Sequence, residues 1–373
     1  MHFPAELTQD EILDGWISLF DGRTLFGWKP VYEADWKVKK GEIQVSSGER
    51  GLLRTTSQFD DFEMVLFFKT PESSNSGVFI RTSPDPKDVL SDCYEINIVS
   101  SKLHKYSTGA IVARAKTDLE VEPNEWHQMR VLADGPKIKV WIDGEKATEF
   151  IDPKPIGRGY IGLQFNEGDA AFKDISIKPL NQKSLFDGSD LEQWNTDQAL
   201  ESRFKLTDDQ ALSVLGGRGQ IESKDQFGDC IISLQCQSNA KGLNSGLFFR
   251  CIPGDLMNGY ESQIQNEFEK GDRRKPKDCG TGGIFRRSNA RRVNADDQTW
   301  FAKTIIATGP HISVWVNGYQ VTDWTDQRMP HENPRNGYRA EAGTIILQGH
   351  DPTTDLLFKS IRAKELSPRK QKQ

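Results

Sequence analysis

Several absences narrow the possibilities for this chain. No stretch approaches the ~18–20 consecutive apolar residues that a membrane helix needs. The opening MHFPAELTQDEIL has no cationic start followed by an apolar block, so no signal peptide is visible. A cytoplasmic protein is the simplest reading, and a secreted or periplasmic one holds if the N-terminus was trimmed. Only five cysteines occur, at 93, 230, 236, 251 and 279, without close CxxC pairs, which does not fit a disulfide framework or a zinc site. Six histidines are scattered at 2, 104, 127, 311, 331 and 350, none at HxxH spacing, so no transition metal is expected. A calcium ion held by carboxylates and carbonyls would leave little trace in the sequence. There is no Walker loop and no GxGxxG after a strand, so no nucleotide cofactor is expected. Positive charge is not in excess either. Lys and Arg total 48 against 54 Asp and Glu, a net charge of −6 that argues against a whole-chain nucleic-acid binder.

What the 373 residues do contain is repetition. SLFDGRTLFGW at 18–28 returns as SLFDGSDLEQW at 184–194. NSGVFIR at 75–81 returns as NSGLFFR at 244–250, and YEINI at 94–98 as YESQI at 260–264. TGAI at 108–111 returns as TGGI at 281–284, and IKVWIDG at 138–144 as ISVWVNG at 312–318. GYIGLQ at 159–164 returns as GTIILQ at 343–348, and FKDISIKPL at 172–180 as FKSIRAKEL at 358–366. The order is kept throughout, so the chain reads as two domain-length copies, 1–180 and 181–373. Residues 62–69, 138–142, 231–236 and 312–316 alternate with period two and are rich in Val, Ile and Phe. Asp-Gly and Asn-Gly pairs separate such runs and mark hairpins. Helical stretches are few, with a short one expected over 8–15. The tail after Leu366 is expected to be disordered. An all-β protein follows, each copy a two-sheet sandwich or jelly roll.

Period two also assigns faces. Glu261, Gln263 and Gln265 share one face of their strand. Asn244, Gly246, Phe248 and Arg250 share one parity, as do Gln348 and His350. An ordinary solvated sheet face fits this pattern. So does a sugar site, because Gln, Asn, Arg and His beside aromatics suit the hydroxyls and rings of carbohydrates.

Both copies resemble the 3-keto-disaccharide hydrolase domain, also described as 3-keto-glucoside lyase and 3-keto-glucal hydratase. The marks are LFDG…GW, NSG(V/L)F(I/F)R, YE.(N/Q)I, TG(A/G)I, VW(I/V)(D/N)G, G.I.LQ and FK.I, which together cover nearly the whole chain. The resemblance implies a concanavalin A-like jelly-roll sandwich with sugar on its concave sheet. It implies a glycoside substrate already oxidised at C3 by a partner sugar dehydrogenase. The ketone acidifies the C2 proton, a base removes it, the C1 substituent leaves, and water later adds to the glucal. Such chemistry needs a base near C2, a donor to the enolate oxygen and an acid near the leaving oxygen. The second copy offers His350 and Glu261 as acid and base, and Arg250 to stabilise the enolate. Glu261 could instead pair with Arg250 structurally, and His350 could be a surface histidine. Asn244, Gln263 and Gln348 would orient hydroxyls, with Trp194 at the rim. The first copy has Asn166 where the second has His350, so its site reads as degenerate. A non-catalytic carbohydrate-binding or interaction module on the same sandwich is the alternative. Neither nucleic acid nor membrane is expected as a partner. Residues 270–292 hold nine Lys or Arg and two Asp, a local +7 that reads as a solvated loop, a lip for an anionic ligand or, least well, a nucleic-acid patch.

Overall fold

A computed structural model describes residues 7–99 and 105–370. His2 and His104 lie outside them. Two compact units emerge. The first is built on Ser18–Asn181 and takes in residues 366–370. The second is built on Gln182–Glu365 and takes in Thr8–Ile17. Each unit thus includes a piece from beyond the other side of the 180/181 cut.

Among the described residues, each unit is a β-sandwich of one eight-stranded and one five-stranded sheet, with neighbouring strands along each sheet's path antiparallel. The jelly-roll expectation therefore holds. Alternation explains the layering. In Phe62–Lys69, Phe62, Met64, Leu66 and Phe68 are fully buried while the residues between them are half-buried. The Asp143–Gly144 loop takes φ +51° and +83°, and Asn317–Gly318 takes +47° and +71°. Both central residues are left-handed, as a two-residue hairpin loop following the strand twist requires.

The short helix spans Gln9–Asp14. Thr8 and Glu11 form a reciprocal capping box, and Gly15 ends the helix at φ +102°. The tail corrects an expectation, because its first residues are held by hydrogen bonds within the first unit. Ser367 N–H donates to Asp60 Oδ2 at 3.0 Å and Lys370 N–H to the Ile156 carbonyl at 3.0 Å. Arg369 donates to the carbonyls of Arg81 and Asp92.

In the second unit the five-stranded sheet runs in the order Trp194–Asn195, Gly219–Ser223, Thr344–Gly349, Ser245–Cys251, Tyr260–Ile264. One face sends Ile221, Leu347, Leu247, Phe249, Tyr260 and Ile264 into the core between the sheets. The other face carries the candidate site. No helix among the described residues is long and apolar enough to cross a membrane.

Candidate active site on the second sandwich

Register lines up the polar face. Gln220 pairs with Gln348, Leu347 with Leu247, and Gly246 with Gln263. One row across four strands therefore reads Gln220, Gln348, Gly246, Gln263. The next row reads Glu222, Ile346, Phe248, Glu261. Asn244 and His350 continue the same parity beyond the first row. Gly246 matters because it has no side chain. A Cβ there would come within 2.7 Å of Glu261 Oε1, so the Glu261 carboxyl lies over the glycine.

Glu261 is 7% exposed. Burial raises its pKa to about 7; Arg335 opposes that rise most, then His350, while Asp278 adds to it and Lys303 opposes it. A carboxyl held near neutrality beside cations can be ionised and still accept a proton readily. Arg335 is the nearest of these cations, its Nη2 3.8 Å from Glu261 Oε2 and donating to the Met257 carbonyl at 2.8 Å. Its guanidinium also sits 5.5 Å from the Phe248 ring centre. Sequence reasoning missed Arg335 and Asp278. Arg335 lies in the long connection between Asp326 and Thr344, whose first-copy counterpart, Asp152 to Tyr160, is much shorter. The matching hydrogen bonds Tyr260–Asp326 and Tyr94–Asp152 fix that correspondence. Asp278 accepts from Asn244 Nδ2 at 2.6 Å and Gln263 Nε2 at 2.8 Å, bracing both amides.

The amides leave acceptors open. Gln263 Oε1 and Gln348 Oε1 are buried without a hydrogen-bond partner among the described residues. They belong to the two side chains flanking Gly246 in the row. Buried acceptors are normally satisfied, and hydroxyl donors of a polyol would satisfy these. His350 follows the Thr344–Gly349 strand. Its Nδ1 lies 2.7 Å from Asp351 Oδ2 and its side chain is 38% exposed. That contact leaves Nε2 as the nitrogen available to a ligand.

Two expected site residues are elsewhere. Arg250 is a correction: its side chain is 0% exposed and pairs with Asp229 Oδ1 at 2.9 Å. It also donates to the carbonyls of Gly228, Gly309 and Arg339. Arg81 does the same in the first unit, bonding Asp60, Gly135 and Asp61. Both arginines take positive φ, +49° and +48°, next to a register shift, so strict alternation fails at this position. Trp194 is the second correction. It is 3% exposed, packs in the core and donates from Nε1 to the Leu185 carbonyl at 2.8 Å, as Trp28 does to Leu19. In the basic segment, Arg273, Arg274 and Lys277 pair with Asp296, Asp272 and Glu267. Arg287 donates to the Arg335 carbonyl, so part of this segment braces the loop that carries Arg335.

The first unit repeats the frame with fewer groups. Glu95 occupies the Glu261 position and accepts from Gln164 Nε2 at 3.1 Å. Burial raises its pKa to about 7, with Gln164 opposing. Asn97 replaces Gln263 and donates to the Tyr106 carbonyl, and Asn166 stands where the second copy has His350.

The chain is 22% identical over 230 residues to a 3-keto-disaccharide hydrolase from Bacteroides thetaiotaomicron, covering 45% of this chain and 79% of that one. It is 24% identical over 257 residues to a levanase from Bacillus sp. strain L7, covering 66% of this chain and 26% of the levanase. A carbohydrate-binding module from Bacillus subtilis aligns at 17% identity and a TM-score of 0.34, over 41% of this chain and 95% of the module. Residues 15–178 and 181–364 each match the model of one family, so the chain belongs, twice over, to the 3-keto-alpha-glucoside-1,2-lyase-like domain family.

Proposed function

We propose that the second sandwich cleaves glycosides oxidised at C3. The observation that carries this reading is Glu261, a buried carboxyl poised at about 7 over Gly246, beside Arg335 and in the field of His350. Ionised Glu261 takes the C2 proton, and the C2–H electron pair moves into the ketone to give an enolate. Arg335 offers the positive charge nearest to that developing anion, the role assigned to Arg250 from sequence. The enolate then collapses, the bond from C1 to its substituent breaks, and the leaving oxygen takes a proton from His350. Water adding to the resulting glucal completes a net hydrolysis. Gln263 and Gln348 accept hydrogen bonds from sugar hydroxyls, and Asn244 is held beside them by Asp278. The name of the Bacteroides relative supports the same substrate class. A dehydrogenase that oxidises the C3 hydroxyl would supply the substrate. The binding-module reading shares the fold and is separated by turnover.

The test mixes the protein with a 3-keto-disaccharide and with its unoxidised parent and follows release of free sugar. Release is expected from the keto sugar alone, with Glu261→Gln slower by roughly 10²–10⁴-fold, the usual worth of a general base. Binding of both sugars without release would put the binding module ahead.

A further inference from the structure

The core beneath the site contains a lysine that its sister copy does without. Lys303 is 1% exposed in the strand Phe301–Thr308, inside the second sandwich. Its Nζ donates to the carbonyls of Ser262 at 2.7 Å and Gln263 at 3.0 Å. Those residues belong to the strand whose other face carries Glu261 and Gln263. The two sandwiches superpose in register here. Lys303 pairs with Val316 as Met129 pairs with Ile142, Ser262 with Leu247 as Ile96 with Val78, and Cys236 with Phe301 as Phe68 with His127. Where the first copy has Met129, Ile96 and Phe68, the second therefore has Lys303, Ser262 and Cys236. Two neighbours have shrunk, and a lysine extends where a methionine of similar length fills the other core. Ser262 Oγ is left without a partner among the described residues.

A buried ammonium is a poor way to stabilise a core, and the first copy shows that this position accepts an apolar residue. Local rules broken in this way tend to mark functional constraint. We infer that Lys303 is a positioning residue of the Glu261 site, clamping the Ser262–Gln263 segment from the core side and favouring ionised Glu261 through the sheet. Burial lowers the Lys303 pKa to about 7, and Cys236, Cys279 and Glu261 oppose that fall. The groups acting on Glu261 are Arg335, His350, Asp278 and Lys303. Lysine and carboxyl thus titrate in the same range, and a proton on one opposes a proton on the other.

This inference rests on reading Glu261 as the base, but its test does not need turnover. The Glu261 side-chain carboxyl is followed by ¹³C NMR from pH 5 to 9, its signal assigned by its loss in Glu261→Gln. Lys303→Met removes charge and donor and restores the first-copy residue. Lys303→Gln removes the charge and keeps a donor, giving a second variant if the methionine variant does not fold. Both are expected to move the Glu261 midpoint upward, and Lys303→Met to leave the unfolding temperature unchanged or higher. A midpoint unmoved in the folded variants overturns the inference, as does loss of stability in both with no change in titration. Shifted titration in a protein that never releases sugar would sink the proposed reaction and leave Lys303's role standing. Turnover with an unmoved midpoint would do the reverse.

Discussion

Glu95→Gln isolates what burial does to a carboxyl on this scaffold. Glu95 is 8% exposed, and burial raises its pKa from 4.5 to about 7, against a single opposing hydrogen bond from Gln164. Unfolded, the same group titrates near 4.5, so between those values the folded state keeps a proton that the unfolded state releases. Glu95 therefore contributes stability that is fully present below about 4.5 and is lost as pH rises through about 7. At ~1.4 kcal/mol per pH unit, the gap amounts to about 3 kcal/mol. Glutamine imitates the protonated acid and can still accept from Gln164. The variant should match wild type at pH 4 and exceed it by about 3 kcal/mol at pH 8. Urea unfolding of the full chain at both values measures the difference. Hydrogen exchange in Gly51–Thr55 and Tyr94–Val99 assigns it to the first unit. A difference of the same size at both pH values would refute the reasoning, because the effect would then owe nothing to ionisation.

Arg250→Ala and Arg81→Ala should each destabilise their own unit by ~3–5 kcal/mol, since each removes a buried guanidinium that pairs with an aspartate and donates to backbone carbonyls. Urea midpoints check this, and folded Arg250→Ala with normal stability but no turnover would return Arg250 to the site. Trp194→Phe should cost ~1 kcal/mol for the lost Nε1–Leu185 bond and leave sugar release unchanged. Arg335→Met should raise the acid limb of the pH–rate profile by about one unit, because the cation nearest Glu261 is gone. An unchanged limb would remove Arg335 from the mechanism.

The fold was legible in sequence because period-two burial and the Asp-Gly and Asn-Gly pairs are local signals. The same alternation placed Asn244, Glu261, Gln263, Gln348 and His350 on one face. It failed at Arg250, where a positive φ beside a register shift turns the side chain out of step. It could not assess Trp194, whose repetition in both copies reflects a shared hydrogen bond to the backbone rather than a shared ligand. Arg335 and Asp278 come from connections longer than their first-copy counterparts, and loop paths carry no periodicity to read. Lys303 sat in a run that otherwise reads as plain core, FAKTIIAT, and only alignment against Met129 singles it out.

The traded chain ends bear on how this protein is made and divided. During synthesis the first sandwich emerges long before residues 366–370 that join it, whereas the second finds the segment Thr8–Ile17, with the helix Gln9–Asp14, already outside the ribosome. A gene cut between residues 181 and 182 would separate each sandwich from a segment that packs with it. The N-terminal piece would lack Ser367–Lys370, and the C-terminal piece would lack the helix. Halves that keep every described segment of their own sandwich would need recombined ends, with 366–370 grafted onto the first sandwich and 8–17 onto the second.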